Sequence, residues 1–126
     1  MMNGDDENMF SFQELKVWQK SVDFAEKVIR MIDELDTPRR HYRLIEQLEA
    51  ASTSVSMNIA EGKGRQSTKE FIRFLYIARG SLFEVVTLLI ILQRLGWIQT
   101  ERMMEFQRMA LEITKMLNSL IKSMRR

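Results

Sequence analysis

Residues 58–84 read NIAEGKGRQSTKEFIRFLYIARGSLFE, and this stretch decides how the chain folds. Gly62-Lys63-Gly64-Arg65 separates two runs of helical periodicity. The second run opens on Ser67 with Glu70 three residues later, the spacing of a capping box. Upstream of the turn, Ile45, Leu48, Ser52, Val55 and Ile59 recur at alternating intervals of three and four, which sets them on one face of a helix from about residue 40 to 61. The middle of that helix is rich in small residues, Ala50 to Ser54 and Ser56. Small side chains let a neighbouring helix come close, and buried hydroxyls among them can bond to the carbonyl one turn earlier. Gly62 is expected to end the helix as a C′ residue with positive φ.

Downstream, Phe71, Leu75, Ala78, Leu82, Val85, Leu89 and Leu92 keep the same spacing until Gly96. Thr100 is the expected N-cap of a further helix carrying Met103, Phe106, Ala110, Ile113, Leu117, Leu120 and Met124. Toward the N-terminus, Trp18, Val22, Ala25, Ile29 and Ile32 form one apolar row, with Phe24, Val28, Met31 and Leu35 in a second row beside it. Asp36-Thr37-Pro38 closes this first helix, because proline disfavours helix in the residue before it. Ser11 and Glu14 fit a capping box with Phe10 stapled onto Leu15, and a start one turn later, near Val17, fits as well. Each row persists for about three heptads, the pattern of near-parallel helix packing. The expected fold is an all-α, antiparallel up-down-up-down four-helix bundle over residues 10–126, preceded by an acidic flexible tail over residues 1–9.

The composition agrees with one domain. A chain of 126 residues buries a core without covalent staples, and the absence of cysteine excludes disulfides and thiolate metal sites. One proline and five glycines leave long uninterrupted segments. The opening residues are acidic and polar rather than basic and then apolar, so the cytoplasm is the expected location. Nineteen lysines and arginines against 17 acids give a formal net charge of +2. Asp5, Asp6 and Glu7 stand in the first nine residues with no base, so the rest of the chain is moderately basic. That balance permits contact with nucleic acid without requiring it.

Residues 82–92 read LFEVVTLLIIL, with only Glu84 and Thr87 polar. The run is too short to span a bilayer, which takes about 20 such residues, so no membrane partner is expected. A helix apolar all round must be buried all round, yet each helix of a four-helix bundle keeps one face to solvent. Phe83, Val86, Ile90 and Ile91 therefore call for a partner, and the broad face of the first helix, with Phe24 and Val28, makes the same demand. Self-association is the expectation, against irregular packing within one chain. Met103 and Met124 lie on the seam of the last helix, whereas Met109 and Met116 lie off it, where a neighbouring subunit is expected.

FQELKVWQK at 12–20, YRLIEQL at 42–48, NIAEGKGR at 58–65, EFIRFLYIARGSLFE at 70–84 and RLGWI at 94–98 follow one another in this order. The series resembles the bacterial four-helix-bundle proteins of the 23S rRNA-intervening-sequence protein family. That resemblance implies an antiparallel four-helix bundle assembled as a ring-like homopentamer. It also implies kinship with the accessory proteins of diversity-generating retroelements, which share the fold and bind nucleic acid. No enzymatic activity is established for the family, so no catalytic residue carries over. Relatives commonly have arginines after QL, where this chain has Glu49 and Ala50, and ELET where it has EVVT with Val86. The first change lowers the positive charge of the second helix and the second adds apolar surface.

Asn58, Glu61, Arg65, Ser67, Glu70, Arg73 and Glu84 are the polar residues of the signature. They are expected to form a capping and ion-pair network that sets the angle between the second and third helices. Exposed pairs three or four apart stabilise a helix by only ~0.2–0.5 kcal/mol, so such a network specifies geometry more than it stabilises. The competing reading is a ligand or RNA site at the turn, whose backbone amides could receive a phosphate. No strand precedes the turn, however, and its spacing is not that of a P-loop. His41, the one histidine, has no carboxylate three residues before it, which excludes a ferritin-like di-metal site. It reads as a solvated helix-start residue, and no catalytic, metal, cofactor or small-molecule site is expected.

The bases gather near the bundle ends. Lys63, Arg65, Lys69, Lys122, Arg125 and Arg126 share one end, and Arg39, Arg40, Arg43 and Arg102 the other. In a ring, several copies of a modest patch converge into one strong field, giving sequence-independent, salt-sensitive binding. Only Tyr42 stands among the basic clusters as an aromatic, so base stacking is not expected. The acidic tail starts at the end of Lys63 and the C-terminal arginines, and is expected to screen it. The leading reading is a non-enzymatic homo-oligomer, a pentamer by the resemblance, with basic surface for RNA or other nucleic acid. The alternative is a protein–protein scaffold with no nucleic-acid role.

Overall fold

The computed structural model describes residues 8–35 and 41–125. A 3-10 turn at Ser11–Glu14 leads into four helices: α1 Lys16–Asp33, α2 Tyr42–Lys63, α3 Thr68–Arg94 and α4 Thr100–Met124. The neighbours are α1 with α2, α2 with α3, α3 with α4 and α4 with α1, which closes a four-sided bundle. Paired side chains give the directions. Lys20 meets Glu112 and Glu34 meets Arg102, Gln47 meets Glu84 and Ser54 meets Ser81, and Arg79 meets Asn118 while Gln93 meets Thr100. In each pair of helices the later residue of one meets the earlier residue of the other, so these neighbours run antiparallel.

The two apolar rows of α1 are not equivalent. Phe24, Val28 and Met31 of the second row are buried together with Val17 and Ser21, whereas only Ala25 and Ile32 of the first row are, and its Trp18, Val22 and Ile29 are half-buried flanks. Phe24 and Val28 have no exposed area, and Phe24 meets Phe106 of α4 edge-on at 6.2 Å between ring centres. This corrects the expectation that they serve an interface with another copy. The broad face of α1 is spent on its own neighbours, because two adjacent helices together cover an arc wider than one seam. Met109 and Met116 are likewise half-buried against the chain's own core, and Met104 is the exposed methionine of that helix.

Buried hydroxyls behave as expected. Ser52 Oγ donates to the Glu49 carbonyl at 2.9 Å and Ser21 Oγ to the Val17 carbonyl at 2.7 Å, so neither is left without a partner. Gly62 does not end α2. It is buried within the helix, and a Cβ there would lie 2.6 Å from Phe74 Cβ. Its service is to let α3 approach. Gly96, with φ of 80°, is the one described residue that needs the left-handed region, and it follows the end of α3.

The helix starts divide. Ser67 caps α3, its Oγ accepting the Glu70 N–H at 3.1 Å. Helix α1 takes the later of its two possible starts. Ser11 caps nothing there: the Phe10 N–H donates to Gln13 Oε1 at 2.8 Å, and the Phe10 ring stacks on Phe12 instead of stapling Leu15. Gln99 precedes α4 as its cap residue, while the Thr100 hydroxyl accepts from Gln93 Nε2 at 3.0 Å. The expectations for Asp5, Asp6, Glu7, Pro38, Arg39, Arg40 and Arg126 fall outside the described residues.

Along α3, Leu75, Ala78, Leu82, Val85, Leu89 and Leu92 have no exposed area. The 27-residue helix has the length and hydropathy to cross a membrane, and the central helix of a bundle core has the same properties. Val86 and Ile90 are half-buried against the core, whereas Phe83 and Ile91 are 51% and 40% exposed.

Candidate nucleic-acid interface

Two arginine–aromatic groups of opposite character stand on one side of the bundle, one at the turn after α2 and one running from the last turn of α4 to the middle of α3. The first is charge-compensated. Arg65 and Arg73 lie over the ring of Phe74 at 4.8 and 4.7 Å, and each has a carboxylate one turn away: Glu61 for Arg65 at 2.7 Å and Glu70 for Arg73 at 3.4 Å. Two cations and two anions thus enclose a nearly buried ring. Behind them, Asn58 Nδ2 donates to the Ser54 carbonyl at 2.8 Å and to Ser54 Oγ at 2.9 Å. Ser54 Oγ shares a hydrogen bond with Ser81 Oγ at 2.8 Å, and Glu84 accepts from Gln47 Nε2 at 3.2 Å. The Ser54–Ser81 and Gln47–Glu84 pairs fasten α2 to α3. The N–H groups of Gly64 and Arg65 donate to the carbonyls of Ala60 and Gly62, so they are not free to receive a phosphate.

The second group has no such compensation. Arg79 lies 4.8 Å from the Tyr76 ring centre and 5.7 Å from that of Phe83, and Arg125 lies 5.4 Å from the same Tyr76 ring. Arg79 Nη1 donates to Asn118 Oδ1 at 2.7 Å. Beside this stack, the groove between the start of α3 and the end of α4 is lined by Thr68, Lys69, Ile72, Met124 and Arg125, with no carboxylate. Lys63 lies over the Phe71 ring at 5.9 Å, and Lys122 is exposed on α4. Among the described residues, Lys63, Lys69, Arg79, Lys122 and Arg125 form no ion pair.

The sequence groups Lys63, Lys69, Lys122 and Arg125 at one end of the bundle, as the structure has them, and counts Arg65 among them, although its charge is matched by Glu61. It missed Arg79 and Tyr76. It also expected no aromatic near the bases except Tyr42, whereas the structure sets Phe71, Phe74, Tyr76 and Phe83 against them. The signal was available in the three-then-four spacing of Tyr76, Arg79 and Phe83, which aligns them on one helix face. At the opposite end, Arg102 pairs with Glu34 at 3.3 Å and lies over Phe106. His41 is not a merely solvated residue there: its ring meets that of Trp97 at a 60° tilt, with ring centres 5.0 Å apart.

The groove between α1 and α4 contrasts with this end. Lys20, Lys27 and Arg30 line it together with Asp23, Glu26 and Glu112, a mixture that favours neither sign. Among the described residues, no cluster of three or more His, Asp or Glu side chains could hold a metal ion.

No curated protein is significantly similar to the chain. A solved structure of a protein of unknown function from the S23 ribosomal protein family of Bacteroides thetaiotaomicron has the same fold, with a TM-score of 0.78 at 30% sequence identity over 84% of this chain and 95% of that one. The family model described as 23S rRNA-intervening sequence protein matches residues 13–119. By that match, which spans all four helices, the chain belongs to the 23S rRNA-intervening sequence protein family.

Proposed function

We propose that the protein is a non-enzymatic, cytoplasmic homo-oligomer that binds RNA or other nucleic acid through the basic end of its bundle. The observation that carries the reading is the set of bases there that pair with no carboxylate among the described residues, Lys63, Lys69, Arg79, Lys122 and Arg125. Unmatched positive charge attracts a polyanion by releasing its counterions. Self-association rests on the outer face of α3, where Ile77, Phe83 and Ile91 are exposed apolar residues around Gly80. They share roughly one third of the helix circumference, given about 100° per residue. Family resemblance implies a pentamer, and a ring would repeat the basic end in every copy, raising the local field.

The test is native mass by light scattering at low salt and at ~1 M salt, where exposed charges are almost fully screened, with absorbance at 260 and 280 nm. A salt-resistant mass near five subunits that sheds nucleic acid as salt rises supports both halves of the reading. A monomer free of nucleic acid removes both. An oligomer that carries none at any salt favours the second reading, a protein–protein scaffold, which the apolar face of α3 also supports.

A further inference from the structure

We propose that Tyr76 holds Arg79 and Arg125 as a pre-oriented pair of guanidinium groups, and that this pair, with Lys69 and Lys122, grips the phosphodiester backbone of double-stranded RNA across the α3–α4 groove. The inference rests on the nucleic-acid reading above and assigns it a site. On α3, Lys69, Ile72, Tyr76, Arg79 and Phe83 follow at intervals of three and four, and so lie on one face. On α4, Asn118, Lys122 and Arg125 do the same. The Arg79–Asn118 hydrogen bond and the Arg125–Tyr76 contact bring the two strips together. Lys69 and Arg125 line the groove, Arg79 and Lys122 stand on the two strips that flank it, and no carboxylate lines it.

Pre-orientation is what separates this group from scattered surface charge. A free arginine loses rotamer freedom when it binds a ligand; one already resting on an aromatic ring has lost much of it during folding. Asn118 takes one of the five N–H donors of Arg79, leaving donors for a planar, bidentate grip on phosphate oxygens. The Phe74 group shows the same stacking with Glu61 and Glu70 occupying its arginines, so it offers no comparable site. The chemistry also points to backbone rather than bases. Two guanidinium groups lie within 5.4 Å of the Tyr76 ring centre, which leaves that ring a poor platform for a base. Double-stranded RNA, read by backbone and shape, fits these donors.

The experiment is fluorescence anisotropy of a labelled RNA duplex with the full chain, titrated at several salt concentrations, with circular-dichroism melting of every variant. R79Q/R125Q is expected to bind about tenfold more weakly at low salt, with a salt slope shallower by roughly two per engaged copy. Y76L keeps every charge, so it is expected to bind several-fold more weakly with the slope unchanged, and Y76F to bind as wild type. R43Q/R94Q, at the other end, is expected to change nothing. If R79Q/R125Q binds like wild type while R43Q/R94Q loses affinity, the site is wrong and the nucleic-acid reading stands. If wild-type protein binds no RNA at low salt, the nucleic-acid reading itself falls. Tighter binding of single-stranded RNA, or RNA-independent capture of poly-glutamate by the same arginines, overturns the duplex-backbone assignment.

Discussion

Gly62 of α2 lies so close to Phe74 of α3 that a Cβ on the glycine would stand 2.6 Å from Phe74 Cβ and 3.0 Å from Phe71 Cδ1. The contact is side chain against helix backbone, and it sits directly below the ring that Arg65 and Arg73 cover. Gly62→Ala should gain up to ~1 kcal/mol in helix propensity and lose about 1–3 kcal/mol to overpacking. The expected net effect is a lower midpoint in urea unfolding. An unchanged or raised midpoint would mean that α2 and α3 separate without cost.

Phe24 and Phe83 were grouped by their sequence pattern and are parted by the fold. Phe24→Ala should cost about 3–5 kcal/mol as a core cavity and lower the melting temperature sharply. A paired Phe83→Ser and Ile91→Ser variant touches only exposed side chains, so monomer folding should survive while the native mass falls. Circular dichroism and light scattering on the same samples separate the two effects. A full-sized assembly in the second variant would remove the outer face of α3 as the interface.

The two predicted capping boxes make a further pair. Ser67→Ala deletes an acceptor that Glu70 N–H uses and should destabilise by about 0.5–2 kcal/mol. Ser11→Ala should be close to neutral, because no helix N–H depends on that hydroxyl. Chemical unfolding of both variants checks the contrast; equal losses would place a cap at Ser11 after all.

Asp5, Asp6 and Glu7 concentrate three negative charges in a short segment. Neutralising them as D5N/D6N/E7Q should tighten binding of an RNA duplex at 50 mM salt and have little effect near 1 M, where exposed charges are screened. Identical affinities at low salt would show that the tail does not compete for the basic end.

The sequence by itself determined the four helices, because helical periodicity is a local property. The row Leu48, Ser52, Val55, Ile59 is legible without knowing what covers it, and the same residues are buried in the structure. The turn after α2, the cap at Ser67 and the basic character of one end were legible for the same reason. What only the tertiary structure decided is which members of the two apolar rows of α1 are buried, Phe24, Val28 and Met31 of one with Ala25 and Ile32 of the other, since rows beside each other have equal periodicity and packing chooses among them. It also decided that Gly62 is a point of approach rather than a helix end, because the helix that crowds it begins beyond the turn. Above all it decided which cations converge from separate helices. The carboxylates of Arg65 and Arg73 stand within one turn and were legible in the sequence, whereas the Asn118 bond of Arg79 and the Tyr76 contact of Arg125 join residues 39 and 49 apart. Charge in a sequence is a sum, and charge at a surface is what remains after folding has paired it.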